Sequence, residues 1–211
     1  MKKYELTEET IMINGAQKLY RIKALKDFSD VKAGGLGGYV ESENNLSQDG
    51  DCWVYDKAKV YGSAQVYGSA DIYGSAQVYD SAEVFDNAKV FGTAEVFGKA
   101  RVYGFADVSG SARVFNKAII HDSSRVYGFA QVSGSAEVSG SAEVSGYAIV
   151  SDSARVYGFA IVSGSAEVYE SAEVFDDAKV FGTAEVFGKA RVYGSTELSN
   201  QIIRGYLEIF N

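Results

Sequence analysis

The chain has 211 residues, a formal net charge of −8 at pH 7 and a single cysteine. The acidic balance disfavours nucleic acid as a ligand, because phosphates attract clusters of Lys and Arg, and here the basic residues are interleaved with acidic ones. No apolar run approaches membrane-spanning length, and the start at Met1-Lys2-Lys3-Tyr4 lacks the pattern of a signal peptide. We therefore expect a cytoplasmic protein without a membrane partner.

Residues 1–51 differ in composition from the rest and predict a small β-rich N-terminal cap. Residues 18–25 (KLYRIKAL) alternate in polarity as a half-buried strand does. The glycine cluster at residues 34–38 lacks the Lys-Ser/Thr ending of a phosphate loop and predicts a flexible turn.

Residues 52–199 repeat with a period of six and no insertion. Every sixth residue from Val54 to Leu198 is Val, Ile or Leu, and the residue two before it is Ala except at Cys52, Ser124 and Thr196. On an α-helix, positions six apart scatter around the axis and form no apolar stripe. On a strand, Ala-x-Val puts both apolar side chains on one face. Gly, Asp or Asn two residues after the Val suits a bend, so each hexad predicts a short strand and a corner.

Three such strands close a triangular prism with Ala and Val inside. Each lap then takes 18 residues, and the repeat gives about eight laps. Two patterns support this wrapping. Residues 81–104 recur almost unchanged at residues 171–194, five laps later. Outward residues 18 apart also alternate in charge, as in Asp71, Lys89, Asp107, Arg125 and Glu143, which a parallel in-register ladder favours.

The hexads VYGSAQ, VFGTAE and VSGSAE resemble those of hexapeptide-repeat proteins, which form left-handed parallel β-helices. The stretch Asp27 to Asp56 resembles the entry segment of an uncharacterised bacterial and phage-borne subgroup that is called polymer-forming or transferase-like. The resemblance implies an all-β, left-handed, single-stranded parallel β-helix. The handedness comes from the resemblance and not from the period.

Residues 200–211 leave the repeat and contain a bulky apolar segment, IIRGYLEIF. We expect this segment to cover the last lap as a C-terminal cap. The predicted domains are therefore the N-terminal cap at residues 1–51, the β-helix at 52–199 and the C-terminal cap at 200–211. Protection at both ends of the stack disfavours growth into filaments.

Evidence for catalysis rests on one residue, His121. Acyltransferases of the resembling fold use a catalytic His, a protruding loop and a trimer whose seams hold the acyl donor, whereas this repeat has no loop. His121 follows Ile120 where most hexads carry Tyr, Phe or Ser, so a ring in an outward ladder is the favoured interpretation and a general base the minor one.

One His excludes a three-His metal site within a chain. Cys52 takes an inward Ala position and predicts a buried thiol. We expect no cofactor and no metal.

The residue after each Val is aromatic in most hexads, which predicts ladders of stacked rings. The favoured interpretation is structural, since stacked rings shield the strand hydrogen bonds. A surface for a protein partner, a second copy or a glycan is the alternative. The ladders are Tyr61, Tyr79, Phe97 and Phe115 on one face and Tyr67, Phe85 and Tyr103 on another.

The middle of the repeat carries serine in several ring positions and bulky apolar residues elsewhere. Outward Ile has no folding rationale there, so we predict a lateral partner-binding site at Phe129, Tyr147, Ile149, Phe159 and Ile161.

Three functions stay open. The favoured one is a non-enzymatic structural protein, phage-associated in one version, whose flat faces serve self-association or a protein partner. The alternatives are a trimeric acyltransferase using an acyl-CoA donor and a glycan-binding rod.

Overall fold

A computed structural model describes residues 2–211, which are β-strands, turns and one 3₁₀ turn at Glu43–Asn45. Each hexad forms a short strand, and strands 18 residues apart pair in parallel, as when Val54 lies beside Ile72. The predicted 18-residue lap is confirmed. Three sheets result, which we call faces A, B and C in the order that the hexad repeat visits them from Trp53 onward.

The strands divide among the faces as follows. Face A contains Trp53–Val54, Asp71–Ile72, Lys89–Val90, Asp107–Val108, Arg125–Val126, Glu143–Val144, Ile161–Val162, Lys179–Phe181 and Glu197–Ser199. Face B contains Leu36–Val40, Lys59–Val60, Gln77–Val78, Glu95–Val96, Arg113–Val114, Gln131–Val132, Ile149–Val150, Glu167–Val168, Glu185–Gly188 and Ile202–Gly205. Face C contains Gln65–Val66, Glu83–Val84, Arg101–Val102, Ile119–Ile120, Glu137–Val138, Arg155–Val156, Glu173–Val174, Arg191–Tyr193 and Glu208–Phe210.

The core is a column of Ala and Val side chains, nearly all fully buried. It forms because the strand alternation turns both apolar residues of each Ala-x-Val inward. Ser124 and Thr196 replace the inward Ala in two hexads, and their side-chain hydroxyls donate hydrogen bonds to backbone carbonyl oxygens. The hydroxyl of Ser124, for example, donates to the carbonyl oxygens of His121 at 2.7 Å and Val138 at 3.1 Å.

The corners use residues with positive φ, either Gly or a short polar residue such as Asp122 at φ 58°. Neighbouring laps approach closely here: a Cβ on Gly134 would lie 2.6 Å from the amide nitrogen of Asp152. The Asp corners add a hydrogen bond between laps, because Oδ2 of Asp122 accepts from the amide of Gly140 at 3.0 Å. This backbone contact lowers the pKa of Asp122.

The N-terminal segment continues face B instead of forming a separate sheet. Strands β1 (Tyr4–Ile13) and β2 (Gln17–Ala24) form an antiparallel hairpin, and β2 pairs with the face B strand Leu36–Val40. Tyr4 and Phe28 pack edge to face against the buried ring of Trp53. This aromatic cluster closes the beginning of the column.

The stack is longer than the repeat. Leu36–Val40 adds a strand before it, and Ile202–Gly205 and Glu208–Phe210 add two after it, so the prism has about ten laps where the sequence predicted about eight. The last lap is one residue shorter, because Glu185 pairs with Ile202. The left-handed sense and the domain boundaries stay predictions. The chain is a hexapeptide-repeat parallel β-helix.

Candidate interaction surface

The predicted aromatic ladders are continuous stacks of rings. On face B the ring of Tyr79 lies 5.0 Å from that of Tyr61 and 4.9 Å from that of Phe97, with planes within 2° of parallel. Phe115 continues this stack at 5.0 Å. On face C, Tyr67, Phe85 and Tyr103 stack at 4.8 Å. The spacing equals the separation of the strands, so the backbone sets it.

Arginines pack against the rings of these ladders. The guanidinium of Arg101 lies 5.1 Å from the centre of the Phe85 ring, and its Nε lies 3.2 Å from a carboxylate oxygen of Glu83, the outward residue one lap earlier. Arg113 repeats both contacts, with Phe97 at 5.2 Å and Glu95 at 3.3 Å. On faces B and C of the prism, an arginine therefore makes a cation–π contact with a ladder ring and an ion pair with a Glu one lap earlier.

The stacking has a consequence for glycan binding. A sugar packs its C–H face on an open aromatic face, but within a stack each ring covers the faces of its neighbours. Tyr79, between Tyr61 and Phe97, has only its edge free. The geometry thus favours the structural role of the ladders over the glycan-binding one.

His121 belongs to the face C ladder. Its imidazole stacks on Tyr103 with 5.0 Å between ring centroids and 7° between planes, and its side chain is 18% exposed. Nε2 lies 2.9 Å from Oε1 of Glu137, and Nδ1 lies 3.3 Å from Oδ1 of Asp122. Both ring nitrogens thus lie against carboxylates of the same chain, and each can donate a hydrogen bond there only when it carries a proton. This geometry favours the interpretation of His121 as a ring of the outward ladder over that of a general base, and its role stays a prediction.

Two corners of the prism carry large exposed rings. Phe129 and Tyr147 lie one lap apart where the chain passes from face A to face B, stacked at 5.0 Å and 53% and 64% exposed. Phe159 lies where the chain passes from face C to face A and is 67% exposed. Phe105 occupies that same corner three laps earlier with the same exposure.

The sequence prediction missed Phe105, although a signal for it exists. The residue that precedes the inward Ala is aromatic in four hexads, at Phe105, Phe129, Tyr147 and Phe159. The third corner, between faces B and C, carries Ser or Lys at every such position. Face A is therefore bounded by rings on both edges, and we call these four residues the corner rings.

The predicted isoleucines fall on different faces. Ile161 lies on face A, and Ile149 lies on face B beside Tyr147; both are half-buried. The structure thus groups Phe159 with Ile161 and Phe129 with Tyr147, and it separates these two groups by the width of face A. Their role in binding a partner stays a prediction.

One concave region, about 590 Å³, is lined by residues 42–48 and 62–67 and contains neither His nor Cys. Across residues 2–211, no three His, Cys, Asp or Glu side chains come together as a metal site would require. Nor is any helix in that range long and apolar enough to cross a bilayer.

Cys52 is fully buried, its sulfur 3.3 Å from Nζ of Lys3, and burial raises the pKa of the thiol.

Comparison with known proteins gave a similarity over part of the chain. No protein-family model matches it. The chain is 42% identical over 64 residues to a protein of Escherichia coli K12 called "Uncharacterized acetyltransferase YdcK". The match covers 27% of this chain and 20% of that protein. The chain thus spans a small part of this relative's length.

Proposed function

Starting from a hexapeptide-repeat β-helix, we propose that this protein is a non-enzymatic interaction protein that presents face A and its edges to another protein surface. The corner rings are the observation that carries the proposal. Phe105 and Phe159 are each 67% exposed, and the fold gives their side chains no packing partner that would explain rings in place of the usual Ser. Aromatic residues grouped on a rigid surface are typical of protein interfaces.

Rigidity supports the same proposal. Every lap is hydrogen-bonded to the next, as when the amide of Tyr127 donates to the carbonyl of Val144 at 2.9 Å. A surface of this kind loses little conformational entropy on binding, because its backbone is already fixed. Flat parallel faces suit contact with a second protein better than enclosure of a small molecule.

A matched pair of corner substitutions tests the proposal. Phe129→Glu puts a charge on a ring corner, and Ser135→Glu puts the same charge on the equivalent position of the third corner. We expect Phe129→Glu to abolish self-association in light scattering and binding to any protein captured from a bacterial lysate, with Ser135→Glu behaving as the unmodified chain. Equal behaviour of both variants in both assays overturns the proposal.

The similarity to YdcK favours a second candidate, an acyltransferase that uses an acyl-CoA donor. Lys99 and Lys117, stacked one lap apart at the third corner around an open depression of about 460 Å³, would suit the phosphates of such a donor. Against it stands His121, whose ring nitrogens both face carboxylates. Calorimetric titration with acetyl-CoA decides between the two: binding, together with acetyl transfer that is lost in His121→Ala, would replace our first proposal with this one.

A further inference from the structure

The corner rings are arranged symmetrically on face A. Its four central strands begin at Asp107, Arg125, Glu143 and Ile161 and lie side by side in that order. The first and fourth are preceded at the corner by Phe105 and Phe159, and the second and third are followed at the opposite corner by Phe129 and Tyr147. A half-turn about an axis parallel to the strands, midway between the second and the third, exchanges the positions of these rings pairwise.

We infer that two copies of this chain pack face A against face A, related by a half-turn about that axis. The long axes of the two prisms are then antiparallel. An isologous contact requires a surface that is complementary to itself after a half-turn, and the arrangement of rings meets this condition. Phe105 of one copy would face Phe159 of the other, and Phe129 would face Tyr147. This inference rests on the proposed interaction function and names a second copy of the chain as the partner.

The charges at the centre fit the same operation. The half-turn brings Arg125 of one copy opposite Glu143 of the other, twice per dimer. Within one chain these two side chains already form an ion pair at 3.0 Å on neighbouring strands. The dimer would therefore hold a four-membered cluster of alternating charges at its centre.

The shape of the centre also fits. The next outward column of face A runs Ser109, Tyr127, Ser145 and Ser163, so one ring rises among small residues. The half-turn places Tyr127 opposite Ser145 of the other copy, so that the large ring meets a small side chain and not a second ring. The hydroxyl of Tyr127 donates to Glu143 of its own chain at 3.0 Å, which fixes the position of the ring.

The contact should be confined to the four central strands. One strand farther out on each side, Lys89 would face Lys179, and like charges opposite each other oppose association. Lys179 is instead paired with Glu197 of its own chain at 2.7 Å. The surface thus favours a closed dimer centred on one axis over a contact that slides along the prism.

Cysteine pairs test the antiparallel arrangement directly. Phe105 and Phe159 of one chain are three strand spacings apart, about 14 Å, which a disulfide or a short bis-maleimide does not bridge. We expect Phe105→Cys mixed with Phe159→Cys to give a covalent dimer on a denaturing gel, and either variant alone to give none. The pair Lys99→Cys and Ser153→Cys has the same spacing at the third corner and should give none when mixed.

Charge exchange provides a second test. Arg125→Glu and Glu143→Arg should each weaken the dimer about tenfold in sedimentation, and the double variant should restore it, because it rebuilds both the internal and the intermolecular pairs. A chain that is monomeric at every concentration overturns the inference. So does a dimer that forms without the mixed cross-link or without the rescue, but in that case the proposed interaction function stands. If Phe129→Glu also leaves every association unchanged, the proposed function fails as well.

Discussion

The imidazole of His121 lies parallel to the ring of Tyr103, 5.0 Å away, and its Nε2 atom contacts Glu137 at 2.9 Å. The stack accounts for part of the role of His121, so another ring should preserve that part. We expect His121→Phe to keep the thermal midpoint within a few degrees of the unmodified chain and His121→Ala to lower it, since a stacked aromatic pair contributes about 1 kcal/mol. Differential scanning calorimetry measures both, and equal losses in the two variants would mean that the carboxylate contacts dominate.

The sequence predicted the vertical neighbours of the prism but not the diagonal ones. Residues 18 apart were expected to stack, and they do, whereas Glu137 lies 16 residues after His121. The same offset recurs where the hydroxyl of Tyr127 donates to Glu143 and where that of Tyr169 donates to Glu185. The sequence does contain this pattern, an outward ring followed 16 residues later by Glu, and it indicates that the His is paired.

The added strands could not be predicted in the same way. The six-residue period identifies a strand from the residues of that strand alone. Leu36–Val40 lacks the period and joins face B because it pairs with Lys59–Val60, about 20 residues later in the chain. The segment after residue 199 lacks the hexad pattern and has a lap one residue short, so periodicity alone gives no register for it. Its pairing depends instead on the exposed edge that the preceding strands provide.

Two glycines with similar backbone angles separate the cost of positive φ from the cost of crowding. A Cβ added at Gly134 (φ 68°) would meet backbone atoms of Asp152 at 2.6 Å, whereas one added at Gly15 (φ 73°) would meet nothing within 4 Å. We expect Gly15→Ala to cost about 1 kcal/mol and Gly134→Ala about 3 kcal/mol, because only the second also pushes two laps apart. Urea unfolding gives both values. Equal costs would show that the laps tolerate separation.

The thiol of Cys52 should be inert in the folded chain. It is fully buried, and burial raises its pKa, so little thiolate forms and a reagent has no access. We expect no reaction with an aromatic disulfide reagent at pH 8 until denaturant is added, then one equivalent per chain. Ser135→Cys supplies the control, since its exposed corner position should react within seconds. Rapid labelling of Cys52 in the native chain would contradict the packing of the first laps.

Asp71 should make stability depend on pH near 6. Partial burial, with the nearby charge of Asp30, raises its pKa from 3.8 to about 6. The folded state therefore binds this proton more tightly than the unfolded state, so the contribution of Asp71 to stability is fully present below pH 3.8 and is lost as the pH rises through about 6. Asp71→Asn removes the charge. We expect it to stabilise the fold at pH 7 by about 1 kcal/mol after allowance for solvent screening, and to change little at about pH 4.

Denaturant titrations of Asp71→Asn across the range from about pH 4 to about pH 7 measure this dependence. Asp107→Asn is the control on the same face, because Asp107 lies between Lys89 and Arg125 in the ladder and its removal should bring no gain at neutral pH. A gain for Asp71→Asn that is the same in acid and at neutral pH would point to better packing of the amide. A loss at neutral pH would mean that the charge of Lys89 on the adjacent strand outweighs burial and keeps the Asp71 carboxylate ionised.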